Sequence, residues 1–300
     1  MLNMHFNLTF QRGRISVNST TSSLLTSICV CNTDNFFSNG RPFCPLCGKR
    51  LPLFALVANE FKYLIYNKSC NWISRRQDIS VFNGIRLDDN QPVEVACFEK
   101  GTGSGHEFET LIRKNTEHAM IRELYNIVQD WRGIFYIYPN YNYAPLIDFL
   151  SLHKGVTNRT AKAWLLQAAG FLKAFNKNFS KSHFFRGVMP HNITVSEDRE
   201  TIQFVHCTDL FSRVDHTNRM HTAPEDKYLE AHYTNAVEVF DLGLLAIVLT
   251  CGLKAGTDYR RVLNSPYIPQ NWRNWIVASV QENPFERPSL ESAIEGIKSL

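Results

Sequence analysis

Phe185-Arg186-Gly187-Val188-Met189-Pro190-His191-Asn192-Ile193-Thr194-Val195 is the stretch on which the reading of this chain turns. It contains neither a carboxylate nor a lysine. It ends in a short apolar strand, Ile193-Thr194-Val195. A hairpin follows from Ile193 to Val205, with Ser196-Glu197-Asp198-Arg199 at its turn. Upstream, Ala161, Trp164, Leu165, Ala168, Phe171, Leu172 and Phe175 recur at helical spacing. They predict a helix capped by Thr157 or Asn158, whose apolar stripe is a core face rather than a cofactor box.

Further from this stretch, Gly133 to Tyr138 reads as a buried strand and Pro145 to Leu152 as a short helix. Phe108, Leu111, Ile112, Ala119, Met120, Leu124 and Ile127 predict a helix over Glu107 to Val128. Leu290, Ala293, Ile294 and Ile297 predict a terminal helix opened by Pro288. The longest apolar run, Leu242 to Cys251, is broken by Gly243 and Thr250 and is too short for a bilayer, which takes about 20 residues.

The opening stretch resembles the catalytic loop of eukaryotic-type protein kinases, H-R-D-x-K-P-x-N followed by a strand. Arg186, Pro190 and Asn192 match. Gly187 stands where the family has its proton-accepting Asp, and Met189 where it has a phosphate-facing Lys. Val93-Glu94-Val95-Ala96-Cys97-Phe98 resembles the strand that carries the ATP-contacting Lys, with Phe98 at that position and Lys100 two residues on. The resemblance would make Glu107 to Val128 the regulatory helix of the small lobe, with Glu109 or Glu117 as its ion-pairing acid. The segment Tyr66 to Asn83, expected to cover the phosphates, has no glycine before Gly84. His206-Cys207-Thr208 occupies the D-F-G position; an alternative register places Asp209-Leu210-Phe211 there. Ala223-Pro224-Glu225 matches A-P-E, and Arg287 matches the Arg that pairs with its Glu. Val237-Glu238-Val239-Phe240-Asp241-Leu242-Gly243 resembles a core helix of the large lobe, with Glu238 for the usual Asp.

The resemblance implies an α+β, two-lobed protein-kinase-like fold over 60–300. A small β-rich N-lobe would span about 60–138 and a helical C-lobe about 139–300. It implies a pseudokinase: a protein-binding or allosteric regulatory module whose partner is another protein, a kinase or a kinase substrate. ATP and magnesium then have no productive site. The alternative is an active atypical serine/threonine kinase using relocated Lys100, Asn192 and Asp209. Losing a general base alone costs about 10²–10⁴ in rate, so loss of the metal site and glycine loop as well leaves no useful turnover.

A second motif precedes this body. Cys29, Cys31, Cys44 and Cys47 form C-x-C-x12-C-x2-C, whose second half resembles a zinc-ribbon knuckle. Four thiolates suit a closed tetrahedral structural zinc, with no open position for water. Residues 1–55 are accordingly expected to form a tail or hairpin plus this ribbon. The other cysteines, Cys70, Cys97, Cys207 and Cys251, are scattered, which is core rather than disulfide usage and points to a reducing, cytoplasmic compartment. No acid occurs before Asp34; a tail is expected there in preference to a transit peptide. The 300 residues are 44% hydrophobic and 20% charged, with net charge +4. That composition suits a globular chain and offers little for nucleic acid or membrane to recognise.

Overall fold

The computed structural model describes residues 49, 52–68, 79–99, 105–140, 143–152, 155–179, 185, 188–204, 223–227, 235–253 and 268–300. They divide between two compact units. The first holds strands β1 (Phe54–Ala58), β2 (Phe61–Lys68), β3 (Ile79–Arg86), β4 (Pro92–Glu99), β5 (Asn126–Gln129) and β6 (Gly133–Pro139). The second holds helices α1 (Gly105–Asn115), α2 (Leu146–Leu152), α3 (Asn158–Asn178), α4 (Ala236–Cys251), α5 (Gln270–Ser279) and α6 (Leu290–Ser299), with short strands β7 (Ala144–Pro145), β8 (Ile193–Val195) and β9 (Ile202–Phe204).

In the first unit all neighbouring strands are antiparallel, in the order β1-β2-β3-β4-β6-β5. Side chains alternate between the faces of a strand, so Val93, Val95 and Cys97 of β4 share one face with Phe135 and Ile137 of β6. Leu56, Ala58, Tyr63 and Ile65 complete that core. The sheet curls until its two end strands meet. Asn59 Nδ2 donates to Asn126 Oδ1 at 3.4 Å, and Asn126 Nδ2 donates to the Tyr63 hydroxyl at 2.6 Å. The Arg132 guanidinium lies 4.3 Å from the Phe54 ring centre. These side chains cover a seam that would otherwise present two bare strand edges. Where β3 crosses β2, a Cβ on Gly84 would stand 2.8 Å from the Leu64 carbonyl oxygen, so glycine is needed for the close approach.

The second unit is organised around α4. Every residue from Val237 to Leu249 is buried, which is the pattern of a helix surrounded by protein. Helices α3, α5 and α6 pack against it. A Cβ on Gly243 would lie 2.6 Å from Val280 Cγ1 and 2.9 Å from Ser279 Cβ, so this glycine sets the spacing of α4 and α5. Helix α3 begins at a Thr157 cap, whose Oγ1 accepts the Thr160 N–H at 3.2 Å, and all seven residues of its predicted stripe are buried. Helix α6 is opened by Ser289, whose Oγ accepts the Ser292 N–H, rather than by Pro288. No helix among the described residues is long and apolar enough to cross a membrane.

The architecture corrects the expected protein-kinase-like division into a small N-lobe and a helical C-lobe. The chain is mixed α/β, with a nearly closed, barrel-like, six-stranded antiparallel sheet and six α-helices among the described residues. Two local features account for the difference. Phe54–Ala58 adds a strand where the sequence reading placed the junction between its two segments, and this extra strand lets the sheet curl round toward β5. The helix expected over Glu107 to Val128 stops at Asn115. Asn115 turns its amide back to the Leu111 carbonyl at 2.7 Å, and the His118 ring accepts the Met120 N–H at 3.2 Å, so side chains take over the backbone groups of the next turn. The rest of that predicted helix is a turn and then β5, and α1 groups with the helices instead of with the large sheet. The ribbon cysteines Cys29, Cys31, Cys44 and Cys47 lie outside the described residues.

Candidate functional site

The segment singled out in the sequence is anchored from below by α4. Glu238, in the first turn of that helix, is fully buried. Its Oε1 accepts the Phe185 N–H at 3.1 Å and its Oε2 accepts Asn176 Nδ2 of α3 at 2.7 Å. One carboxylate thus joins the start of the loop to two helices. Burial pushes its pKa up to about 7, and the bonds from Asn176 and Phe185 pull in the opposite direction. Phe185 itself is buried, with its ring 4.6 Å from both Phe171 and Phe204.

Beyond Phe185, Val188 is buried and Met189 leads into a single 3-10 turn, Pro190–Asn192. The Asn192 N–H donates to the Met189 carbonyl at 2.9 Å, and Asn192 is 3% exposed. Val188, Met189 and Pro190 pack against Asp241, Leu244, Leu245 and Val248 of α4. The lining is largely apolar and leaves no room for a water molecule, whereas typical small-molecule sites hold roughly 300–1,000 Å³.

A second anchor lies at the other end of the same helix turn. Arg287 and Glu225 form a two-pronged ion pair, with Nη1 to Oε1 at 2.5 Å and Nη2 to Oε2 at 2.8 Å. The guanidinium also donates to the carbonyls of Ala236, Gln281 and Glu282 at 3.0, 2.7 and 3.3 Å, and stands 4.7 Å from the Phe240 ring centre. The Arg287 side chain has no exposed surface, yet its charge is met by a carboxylate and its remaining donors by carbonyls.

Of the residues picked out in the sequence, the structure brings Glu225 to Arg287 and places Glu238 under the loop. Phe98 lies on β4, 6% exposed, with its ring edge-on to Tyr136 at 5.2 Å. Glu117 lies past the end of α1 and is exposed, and Glu109 lies within α1. Lys100, Arg186, Gly187 and Asp209 fall outside the described residues. Among the described residues no group of three or more His, Cys, Asp and Glu side chains is placed to hold a metal ion. Sequence reasoning passed over Asn176, the polar residue next to the stripe at Phe175, and the signal available was an amide following an apolar helix position.

No family model matches the chain, and a search of curated proteins returned no match.

The ion pair carries a definite cost if halved. Glu225→Gln or Arg287→Met alone leaves a buried charge without its partner and should lower the unfolding free energy by about 3–5 kcal/mol. The double variant should lose less than the two singles together, giving a coupling energy in a double-mutant cycle measured by urea denaturation.

Glu238 makes the pH dependence specific. Its folded pKa, about 7, exceeds its ordinary value of 4.5, so between these pH values the native state binds more protons than the unfolded state. Its contribution therefore falls as pH rises from 4.5 to 7 and is constant above, a total on the order of 3 kcal/mol. Relative to Glu238→Gln, the wild type should lose stability across that window in denaturant titrations at pH 5 and pH 8. A difference independent of pH would count against a buried, titrating carboxyl.

Proposed function

We propose that this chain is a protein-binding or allosteric regulatory module that does not transfer phosphate. The observation that carries this reading is the employment of Glu238. Both its oxygens accept bonds from the protein itself, so the carboxylate beneath the loop anchors the backbone and is withheld from a substrate. Phosphoryl transfer depends on a cradle for the phosphates, metal ions and an oriented nucleophile. In the described part of the loop, Val188, Met189 and Pro190 instead pack onto α4 with no room left for a ligand between them. Such a segment suits the role of a rigid support for surfaces that another protein reads. The partner in this reading is an intracellular protein, with a kinase or a kinase substrate as the expected class.

A structural zinc held by Cys29, Cys31, Cys44 and Cys47 belongs to the same reading, supported by their spacing. Its role would be to fold a small docking module, since metal binding supplies on the order of 10 kcal/mol to modules of this kind.

Thermal unfolding with ATP and magnesium tests the first part. A ligand at 100-fold excess over its Kd stabilises by about 2.7 kcal/mol, so the expected result is an unchanged transition at millimolar nucleotide. A clear upward shift, abolished in Lys100→Ala or Asp209→Ala, would instead support an atypical serine/threonine kinase built on Lys100, Asn192 and Asp209.

Metal analysis of the purified full chain tests the second part. About one zinc per chain is expected in the wild type and a loss of zinc in Cys44→Ser. Absence of zinc from both proteins removes the ribbon.

A further inference from the structure

His118 stands in the turn that follows α1, and the residues after it join that turn to β9. The Met120 carbonyl accepts the Phe204 N–H at 2.8 Å, and the Ala119 carbonyl accepts Gln203 Nε2 at 3.2 Å. Ile121 extends the join as a parallel bridge to Phe204. His118 closes the turn twice over. Its carbonyl accepts the Ile121 N–H at 2.9 Å, and its ring Nδ1 accepts the Met120 N–H at 3.2 Å. Met120, fully buried, is therefore gripped on both sides, by the His118 ring at its N–H and by β9 at its carbonyl. Phe204 carries the join inward, with its ring 4.7 Å from Phe171 and 4.6 Å from Phe185.

A ring nitrogen that accepts a hydrogen bond carries no proton, so this geometry requires a neutral imidazole with its proton on Nε2. The packing favours that form. The ring lies edge-on to Phe171 at 5.7 Å between centres, and a Cβ on Gly170 would stand 3.5 Å from Nε2, so α3 offers it a phenyl group and bare backbone. The charged residues of the surrounding elements turn elsewhere. Arg113 of α1 donates to the Arg122 carbonyl at 2.6 Å, Lys114 and Glu117 are exposed, and Lys173 of α3 borders a groove beside Glu291 and Glu295 of α6. Burial lowers the pKa of His118 from its ordinary 6.5, and no charge among the described residues adds to that shift. The side chain is only half-buried, which leaves it within reach of solvent protons.

We propose that His118 is a proton-sensitive latch on the joint between the α1 turn and β9. Neutral, it holds the Met120 N–H. With a proton on Nδ1 it sets one N–H against another, the bond is lost, and the turn is released from β9. Its contribution to stability is complete above pH 6.5 and is lost as pH falls through the lower native value, because in that window the unfolded state binds more protons than the native state. Glu238 responds to acidification with the opposite sign, so the two titrations are separable.

The test is amide hydrogen exchange on the full chain at pH 7.5 and pH 5, with each rate normalised to that of an unstructured chain at the same pH. In the wild type, protection of Met120, Ile121 and Phe204 should fall roughly tenfold or more at pH 5 while α3 keeps its own. His118→Asn places an amide oxygen where Nδ1 was, an acceptor that does not titrate, and should hold the turn equally at both pH values. His118→Phe keeps a ring against Phe171 without the acceptor and should leave the turn open at both. In protein labelled with ¹⁵N at histidine, the signal missing from His118→Asn should show the Nε2–H tautomer at pH 7.5. Equal wild-type protection at the two pH values overturns the proposal, as does a loss in His118→Asn that matches the wild type. Opening of α3 together with the turn would make the event general unfolding, and a ring already charged at pH 7.5 would remove the latch; either result also overturns it.

Discussion

A guanidinium taken fully out of water has to be met by the protein on every side, and Arg287 is met by Glu225, by three carbonyls and by the Phe240 ring. The isolated charge would be prohibitive in the interior, so wherever Arg287 goes those groups must go too. Three pieces of chain are thereby tied together: the Pro224–Lys227 turn, the start of α4 and the Gln281–Arg287 segment that leads to α6. The rigidity of the Phe285 turn is a consequence of the same constraint. The backbone of the turn is tied down because Arg287, two positions beyond the exposed Phe285, is buried.

Glu238 does related work at lower charge density. Among the described residues its bonded donors are neutral, and its burial raises its pKa, whereas Arg287 and Glu225 satisfy each other. The two arrangements show how differently two buried acids can behave beside the start of one helix. One is locked in an ion pair. The other holds the loop backbone at Phe185 and titrates near neutrality. Both acids act on groups of the protein itself.

Much of the second unit was legible beforehand. The stripe from Ala161 to Phe175 predicted a buried helix face because only a 3.6-residue period aligns those side chains. The hairpin after Asn192 followed from apolar runs flanking a polar turn. Glu225 and Arg287, some sixty residues apart, were paired through motif order alone, and the structure sets them 2.5 Å apart. The reading went astray where periodicity was asked to decide without its context. Met120, Leu124 and Ile127 continued a helical count past Asn115, but Asn115 and His118 bind the local backbone and end the helix. The closure of the sheet was also out of reach. It depends on Asn126 meeting Asn59 and Tyr63, polar contacts between strands that no spacing rule connects.

What the sequence settled by itself was therefore local: which faces of α3 and α6 are apolar, where the β8–β9 hairpin turns, and which reactive side chains are missing between Phe185 and Val195. These are properties of neighbours along the chain, set by side-chain chemistry and backbone period. The curl of the six-stranded sheet, the carbonyls gathered round Arg287 and the burial of Glu238 were decided only by the tertiary structure. Each depends on groups far apart in the chain arriving together, and desolvation acts on a side chain according to what finally surrounds it.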